Sequence, residues 1–153
     1  ARHSSPPPSK RLQPPAKKTG PDLTTDGLPF FTGKITVSQE FTLPDSLPNG
    51  QYIARWHPDC AWSEIEVNGT VVKRSLWAPH EADISAFVHG GVNRVGLTLV
   101  STDRNVFGPH HHPQGELLSL GPVQFTDAHG WLETYSVMPF GPGTLDIVQV
   151  TGR

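Results

Sequence analysis

The sequence predicts an all-β fold, an antiparallel β-sandwich or jelly roll, and three observations carry that prediction. Apolar and polar residues alternate with a period of two in Lys34–Phe41, Trp62–Val67 and Asn93–Ser101, the pattern of a strand with one face buried. Turn pairs such as Asn49-Gly50 and Asn68-Gly69 separate these runs, and Asn-Gly suits the two-residue hairpin because both residues tolerate positive φ. The chain has 15 glycines and 16 prolines in 153 residues, with only 35% hydrophobic residues. That composition fits many short strands joined by turns better than long helices.

The elements follow in order. In Lys34–Phe41, Ile35, Val37 and Gln39 share one face, and Thr36, Ser38 and Glu40 the other. Leu43-Pro44-Asp45 ends this strand, and Gln51–Trp56 is the next. In Trp62–Val67, Ser63, Ile65 and Val67 oppose Trp62, Glu64 and Glu66. Thr70–Lys73 returns from the Asn68-Gly69 hairpin. His80–Val88 is expected to hold one helical turn, with Asp83 or Ser85 as its cap. Val95, Leu97 and Leu99 point inward from Asn93–Ser101. Leu117–Phe125 and Thr144–Val150 complete about eight strands, arranged as in antiparallel sandwiches. Trp77 is expected to pack across the sandwich. No internal repeat is visible.

A chain of this length supports one core, since a domain of about 150 residues buries roughly 68–70% of its extended surface. Residues 1–22 read as a separate tail or linker ahead of a module at 23–153. Ser4-Ser5-Pro6-Pro7-Pro8-Ser9 and Pro14-Pro15 favour extended, solvated backbone. If the tail is a linker, the natural protein continues upstream. Arg2, Lys10, Arg11, Lys17 and Lys18 lie in residues 1–20 without an acid, leaving a net charge of −7 on the remainder. That balance argues against nucleic acid as partner of the folded part. No stretch approaches the roughly 18–20 apolar residues of a membrane span. The single cysteine, Cys60, reads as a small apolar residue beside Trp62.

The order Asn68-Gly69, Trp77-x-Pro79, Asp83-Ile84, Gly91-x-Asn93 and Leu97-x-Leu99 resembles the galactose-binding-domain-like sandwiches of glycoside hydrolases. Phe30-Phe31-Thr32-Gly33-Lys34-Ile35 looks like the opening strand of such modules. The run Thr102–His111 and the closing Tyr135–Gly141 resemble the carboxy-terminal sandwich of large bacterial glycosidase-like proteins. The resemblance spans residues 28–150. It implies a module that either binds carbohydrate directly or packs on a catalytic domain and shapes its rim. It leaves the localisation unknown, with a secreted or cell-envelope bacterial setting favoured over the cytoplasm. It also leaves room for a structural calcium, for which the sequence identifies no ligand set, and it names no sugar. The Gly-Pro-His-His-His loop departs from the commoner modules.

Candidate binding residues fall in three places. Trp56, His57 and Asp59 lie in a polar stretch, Arg55–Trp62, flanked by two tryptophans. Aromatic faces stack on the C–H faces of sugars, and Asp, Arg and His take hydroxyl hydrogen bonds. Arg104 and Asn105 end a strand, and Arg104 offers a fork to a uronic carboxylate or to Asp103 or Glu116. His110, His111 and His112 occupy a Gly/Pro-bounded loop, where binding residues collect on rigid scaffolds. An extended loop would turn His110 and His112 to one side, and zinc would need His57, His80 or Glu116 as a further ligand. No metal centre is assigned on that basis. Glycosidase chemistry needs two paired carboxylates, and the sequence pairs none. No Gly-x-Ser-x-Gly elbow, phosphate loop or His-Glu-x-x-His helix is present. The expected function is a non-catalytic carbohydrate-binding module of a glycoside hydrolase. Its partners would be a poly- or oligosaccharide and an upstream catalytic domain of the same polypeptide. The alternative is a structural sandwich that docks on that domain without binding sugar alone.

Overall fold

The computed structural model describes residues 19–47, 50–117, 119–126 and 130–150. Among them seven strands form two antiparallel sheets. The first sheet has the order β1–β6–β3–β4, with β1 at Lys34–Leu43, β3 at Trp62–Val67, β4 at Thr70–Ser75 and β6 at Gly91–Val100. The second has the order β5–β2–β7, with β2 at Gln51–Asp59, β5 at Glu81–Asp83 and β7 at Gly141–Val150. The molecule is an antiparallel β-sandwich.

Alternation decides what fills the space between the sheets. Ile65, Val67, Val95 and Leu99 face inward with no exposed surface, and Leu97 keeps 1%. Tyr52, Ala54, Trp56 and Ala82 meet them from the second sheet. Burying side chains of this size contributes about 1.5–3 kcal/mol each. The β3–β4 hairpin turns on Asn68 at φ 49° and Gly69 at φ 85°, the paired left-handed conformations of a tight hairpin. Asn68 also accepts from Arg94 N and donates to Asn93 Oδ1, which locks the turn to β6.

Four expectations are corrected. The strand expected at Gln51–Trp56 continues through Pro58 to Asp59, into the polar stretch Arg55–Trp62. Pro58 is accommodated because β5 pairs only with Ile53–Arg55, and a bulge at His57 faces Thr144 and Gly143. Gly143 is required there, since a Cβ would collide with the His57 carbonyl oxygen. The described residues of Leu117–Phe125 form no strand. Pro122–Phe125 forms a 3-10 turn, with Gln124 Oε1 accepting from Gly121 N at 2.7 Å, and a proline cannot donate to a ladder. His80–Val88 holds the short strand β5 instead of a helical turn. Asp83 still caps a turn, accepting from Ser85 N and Ser85 Oγ. Trp77 is 77% exposed and does not cross the sandwich. Ser75 takes the last inward position of β4, and the chain then leaves the sheet.

Residues 1–18 of the expected tail, and Asn49 of the Asn49-Gly50 turn, lie outside the described residues. The last residues of that stretch join the sandwich. Pro21 O accepts from Gly143 N, and Asp22 Oδ1 accepts from Thr24 N. Leu23, fully buried, donates to Phe140 O.

Candidate functional site

A long irregular segment between β6 and β7 gathers most of the polar chemistry. It opens with α1, a single helical turn at Arg104–Phe107. Arg104 is held by a fork on Glu116, with Nε donating to Oε1 at 3.1 Å and Nη2 meeting Oε2 at 2.6 Å. Nη2 also donates to Pro109 O at 2.9 Å. Asn105, buried, donates to Met138 O and accepts from Met138 N at 2.8 and 2.7 Å. These two side chains fasten the segment at both ends. Of the three partners expected for the Arg104 fork, a uronic carboxylate, Asp103 or Glu116, the structure has Glu116 in place. Asn105 likewise has both ends of its amide spent on backbone and is structural.

Beside this fork lies a cleft of about 460 Å³. Asp59, Arg104, Asn105 and Glu116 line it together with the apolar side chains of Phe31, Met138 and Phe140. The cleft thus brings together three of the eight residues expected to bind. Cys60 also lines it and donates to Trp62 O at 3.2 Å. Burial pushes the Cys60 thiol up to about 11, and the Asp59 carboxylate adds to the rise, so this thiol is no nucleophile at neutral pH.

The histidines sit elsewhere on the same segment. The chain bends at His111, so the alternation expected of an extended loop fails. His110 and His111 have ring centroids 6.5 Å apart, while His112 is buried with Nδ1 accepting from Gln114 N. His111 stacks on Trp131 at 4.0 Å and 19°, and its Nδ1 meets Leu132 O at 2.7 Å. Tyr135 lies 4.5 Å from His111 and 5.4 Å from Phe30. Phe107, Phe125 and Trp131 line a recess of about 180 Å³ with the three histidines. Phe30, Phe107, Phe125, Trp131 and Tyr135 are all exposed, from 42% to 72%. They form one aromatic band around the histidine loop.

Trp56 and His57 are brought to neither place. Trp56 has no exposed surface and offers no face to a sugar. Adjacent residues of a strand point to opposite faces, so His57 is exposed on the outside of the second sheet, 3.3 Å from Thr144 Oγ1. Among the described residues no group of three or more His, Cys, Asp or Glu could hold a metal ion, and the carboxylate-rich cage that calcium favours is not assembled there. None of the described helices is long and apolar enough to cross a membrane. Sequence reading missed the aromatic band. Part of its signal was Phe107, Trp131 and Tyr135, aromatic residues that belong to no alternating run.

No protein family matches the chain by its sequence profile, and no curated protein matches it. Among solved structures, the rhamnosidase from Novosphingobium sp. PP1Y is similar over 92% of this chain, at 20% identity and a TM-score of 0.56. The chain spans 12% of that protein. The β-glucuronidase of an uncultured Clostridium sp. overlaps 56% of this chain and 16% of its own, at 24% identity and a TM-score of 0.44. That of Ruminococcus gnavus overlaps 47% and 13%, at 24% identity and a TM-score of 0.43. The two partial overlaps carry no weight on function. The rhamnosidase likeness establishes a fold that also occurs as a small part of a much larger protein.

Proposed function

We propose that this chain is a non-catalytic accessory sandwich of a larger glycosidase-type polypeptide, docking on its catalytic domain through the aromatic band around His110–His112. The observation that carries this reading is the breadth of the band. Five exposed aromatic side chains connect through ring contacts and a shared recess. Monomeric proteins rarely expose contiguous apolar patches beyond a few hundred Å² unless something covers them. A sugar site of the kind expected from sequence would instead present an isolated aromatic in a polar cleft. The likeness to a rhamnosidase of which the chain spans 12% supports a modular setting. Glu116 has both oxygens engaged by Arg104, so it is not free to serve as half of a hydrolytic carboxylate pair.

Hydroxyl-radical footprinting of the 153-residue chain, alone and within the larger polypeptide, tests this reading. Phe107, Phe125, Trp131 and Tyr135 are expected to be modified readily in the isolated chain and protected in the larger protein. Equal modification in both would sink the docking. A glycan-affinity screen in which retention depends on Trp131 would reassign the band to carbohydrate.

A further inference from the structure

We propose that His110 and His111 make docking of the aromatic band sensitive to pH, holding the module docked while both rings are neutral and releasing it when they gain a proton. This deepens the docking reading and rests on it, because it names how that same surface is regulated.

Both histidines lie in the middle of the band and are half-buried. Their backbone is pinned, since His110 O accepts from Ser136 N at 2.7 Å and His111 O from Leu132 N at 2.9 Å. Leu132 O can only accept, so the Nδ1 of His111, 2.7 Å away, carries the hydrogen. In the neutral ring Nε2 is then bare, and a second proton goes there. The imidazole of His110 packs edge-on to Phe30 at 5.5 Å and tilted against Tyr135 at 5.4 Å, with its Nδ1 facing Ser136 O at 3.4 Å. Each ring is thus held within the surface that docking covers.

In the isolated chain, water and the aromatic faces accommodate an imidazolium. His111 stacks on Trp131 at 4.0 Å, and a ring cation gains from that face. A docked partner excludes the water, and a buried charge is costly unless it is paired. Among the described residues no countercharge is in place. Neither His110 nor His111 is ion-paired with a carboxylate there. The recess that both rings line has no Asp, Glu, Lys or Arg. Glu116 has both oxygens on Arg104, which reaches the histidine loop through Pro109 O. Glu133, exposed beside Leu132, makes no ion pair among the described residues. The other titratable groups against the rings are the phenol of Tyr135 and the imidazole of His112. His112 is already buried in the isolated chain, so docking changes its surroundings little. Docking therefore favours the state with fewer protons. It is strongest above the ordinary imidazole range and weakens as pH falls through it. One ordinary histidine kept neutral shifts an equilibrium about tenfold between pH 7.5 and 5.5, and two shift it about a hundredfold.

The test is labelling of Trp131 by a tryptophan-selective benzyl bromide, compared at the same pH between the 153-residue chain alone and the larger polypeptide. The ratio of the two rates is the protection that docking gives. It should fall by about ten- to a hundredfold from pH 7.5 to 5.5. It should barely change with pH in His110→Gln with His111→Gln. The same is expected of His110→Phe with His111→Phe, which keeps planar rings without a titrating nitrogen. Any pH dependence of the fold itself is shared by the parent and the variants. Protection that stays constant from pH 7.5 to 5.5 overturns the proposal. So does a fall that survives in both double variants, which assigns it to other groups. Absence of protection at pH 7.5 sinks the docking itself and the pH response with it, so the two readings fail distinguishably.

Discussion

The buried indole of Trp56 donates Nε1–H to Ser63 Oγ at 2.9 Å, joining β2 of one sheet to β3 of the other. Both residues have no exposed surface. Without the hydroxyl, the indole N–H is left buried and unpaired. Ser63→Ala should therefore destabilise the fold by about 1–3 kcal/mol. Removing the donor as well, in Trp56→Phe with Ser63→Ala, should recover the hydrogen-bond part of that loss. Chemical denaturation of Ser63→Ala, Trp56→Phe and the double variant checks this, and a loss near zero in Ser63→Ala would refute the role of the bond.

Asn105 acts at longer range in sequence. Its amide spans 33 residues to hold both backbone groups of Met138. Asn105→Ala should cost about 1–3 kcal/mol through the unpaired backbone groups left behind. The loss should be local. Hydrogen exchange is expected to quicken at Met138 and its neighbours while the amides of β3 and β6 keep their protection. Uniform quickening across both sheets would mean that the loop and the sandwich unfold as one.

The sandwich was legible because its strands repeat a period of two, and burial on one face enforces that period. Ile65, Val67, Val95, Leu97 and Leu99 announce their inward face in the sequence. The same rule, extended by one step, would have separated Trp56 from His57. It was not carried past Trp56, where the expected strand stopped, whereas the strand runs on through Pro58, which the bulge opposite Gly143 accommodates. The segment 104–140 has no period to read. Its form comes from contacts distant in sequence, such as Arg104 with Glu116 and Asn105 with Met138. For the same reason Arg104 and Asn105 looked like ligand groups, Trp131 passed unnoticed, and Tyr135 was read only as part of a closing run.

Burial sets the chemistry of Cys60. With its thiol pushed from 9.0 up to about 11, the thiolate fraction at pH 8 falls about a hundredfold below that of an ordinary thiol. Alkylation by iodoacetamide should be correspondingly slow in the folded chain and rapid in urea. Linkage has a definite sign. Between pH 9 and 11 the unfolded chain has lost a proton that the folded chain keeps, so stability should fall as pH rises through that window. Cys60→Ala should flatten the fall. Fast labelling of the native protein at pH 8 would contradict the burial.

His80 is governed by the opposite charge. Desolvation lowers it from 6.5, and His57 and Lys73 add to the effect. Ser75 Oγ donates to Trp77 O, so it accepts from the Nδ1–H of neutral His80 at 2.8 Å. The unfolded chain takes up a proton near pH 6.5 that the folded chain resists. This contribution to stability is present above pH 6.5 and is lost as pH falls below it. Urea midpoints at pH 7.5 and 5.5 should differ less in His80→Gln than in the parent chain. An unchanged difference would assign the pH dependence to other groups.

The aromatic band should be separable from stability. Phe107 is 72% exposed and Trp131 54%, and surface substitutions away from special contacts usually stay within about 0.5 kcal/mol. Phe107→Ser should therefore leave the denaturation midpoint unchanged. Trp131→Ser gives up its stack on His111, and a loss of about 1 kcal/mol is expected. Both variants should lower binding of a hydrophobic dye, because each removes part of a contiguous apolar surface. Within the larger polypeptide the order of effects should invert. Phe107→Ser should then loosen the docked module and raise its susceptibility to proteolysis, although it costs the isolated chain nothing. If Phe107→Ser is silent in both settings, Phe107 faces solvent in the assembled protein and the docked surface does not include it.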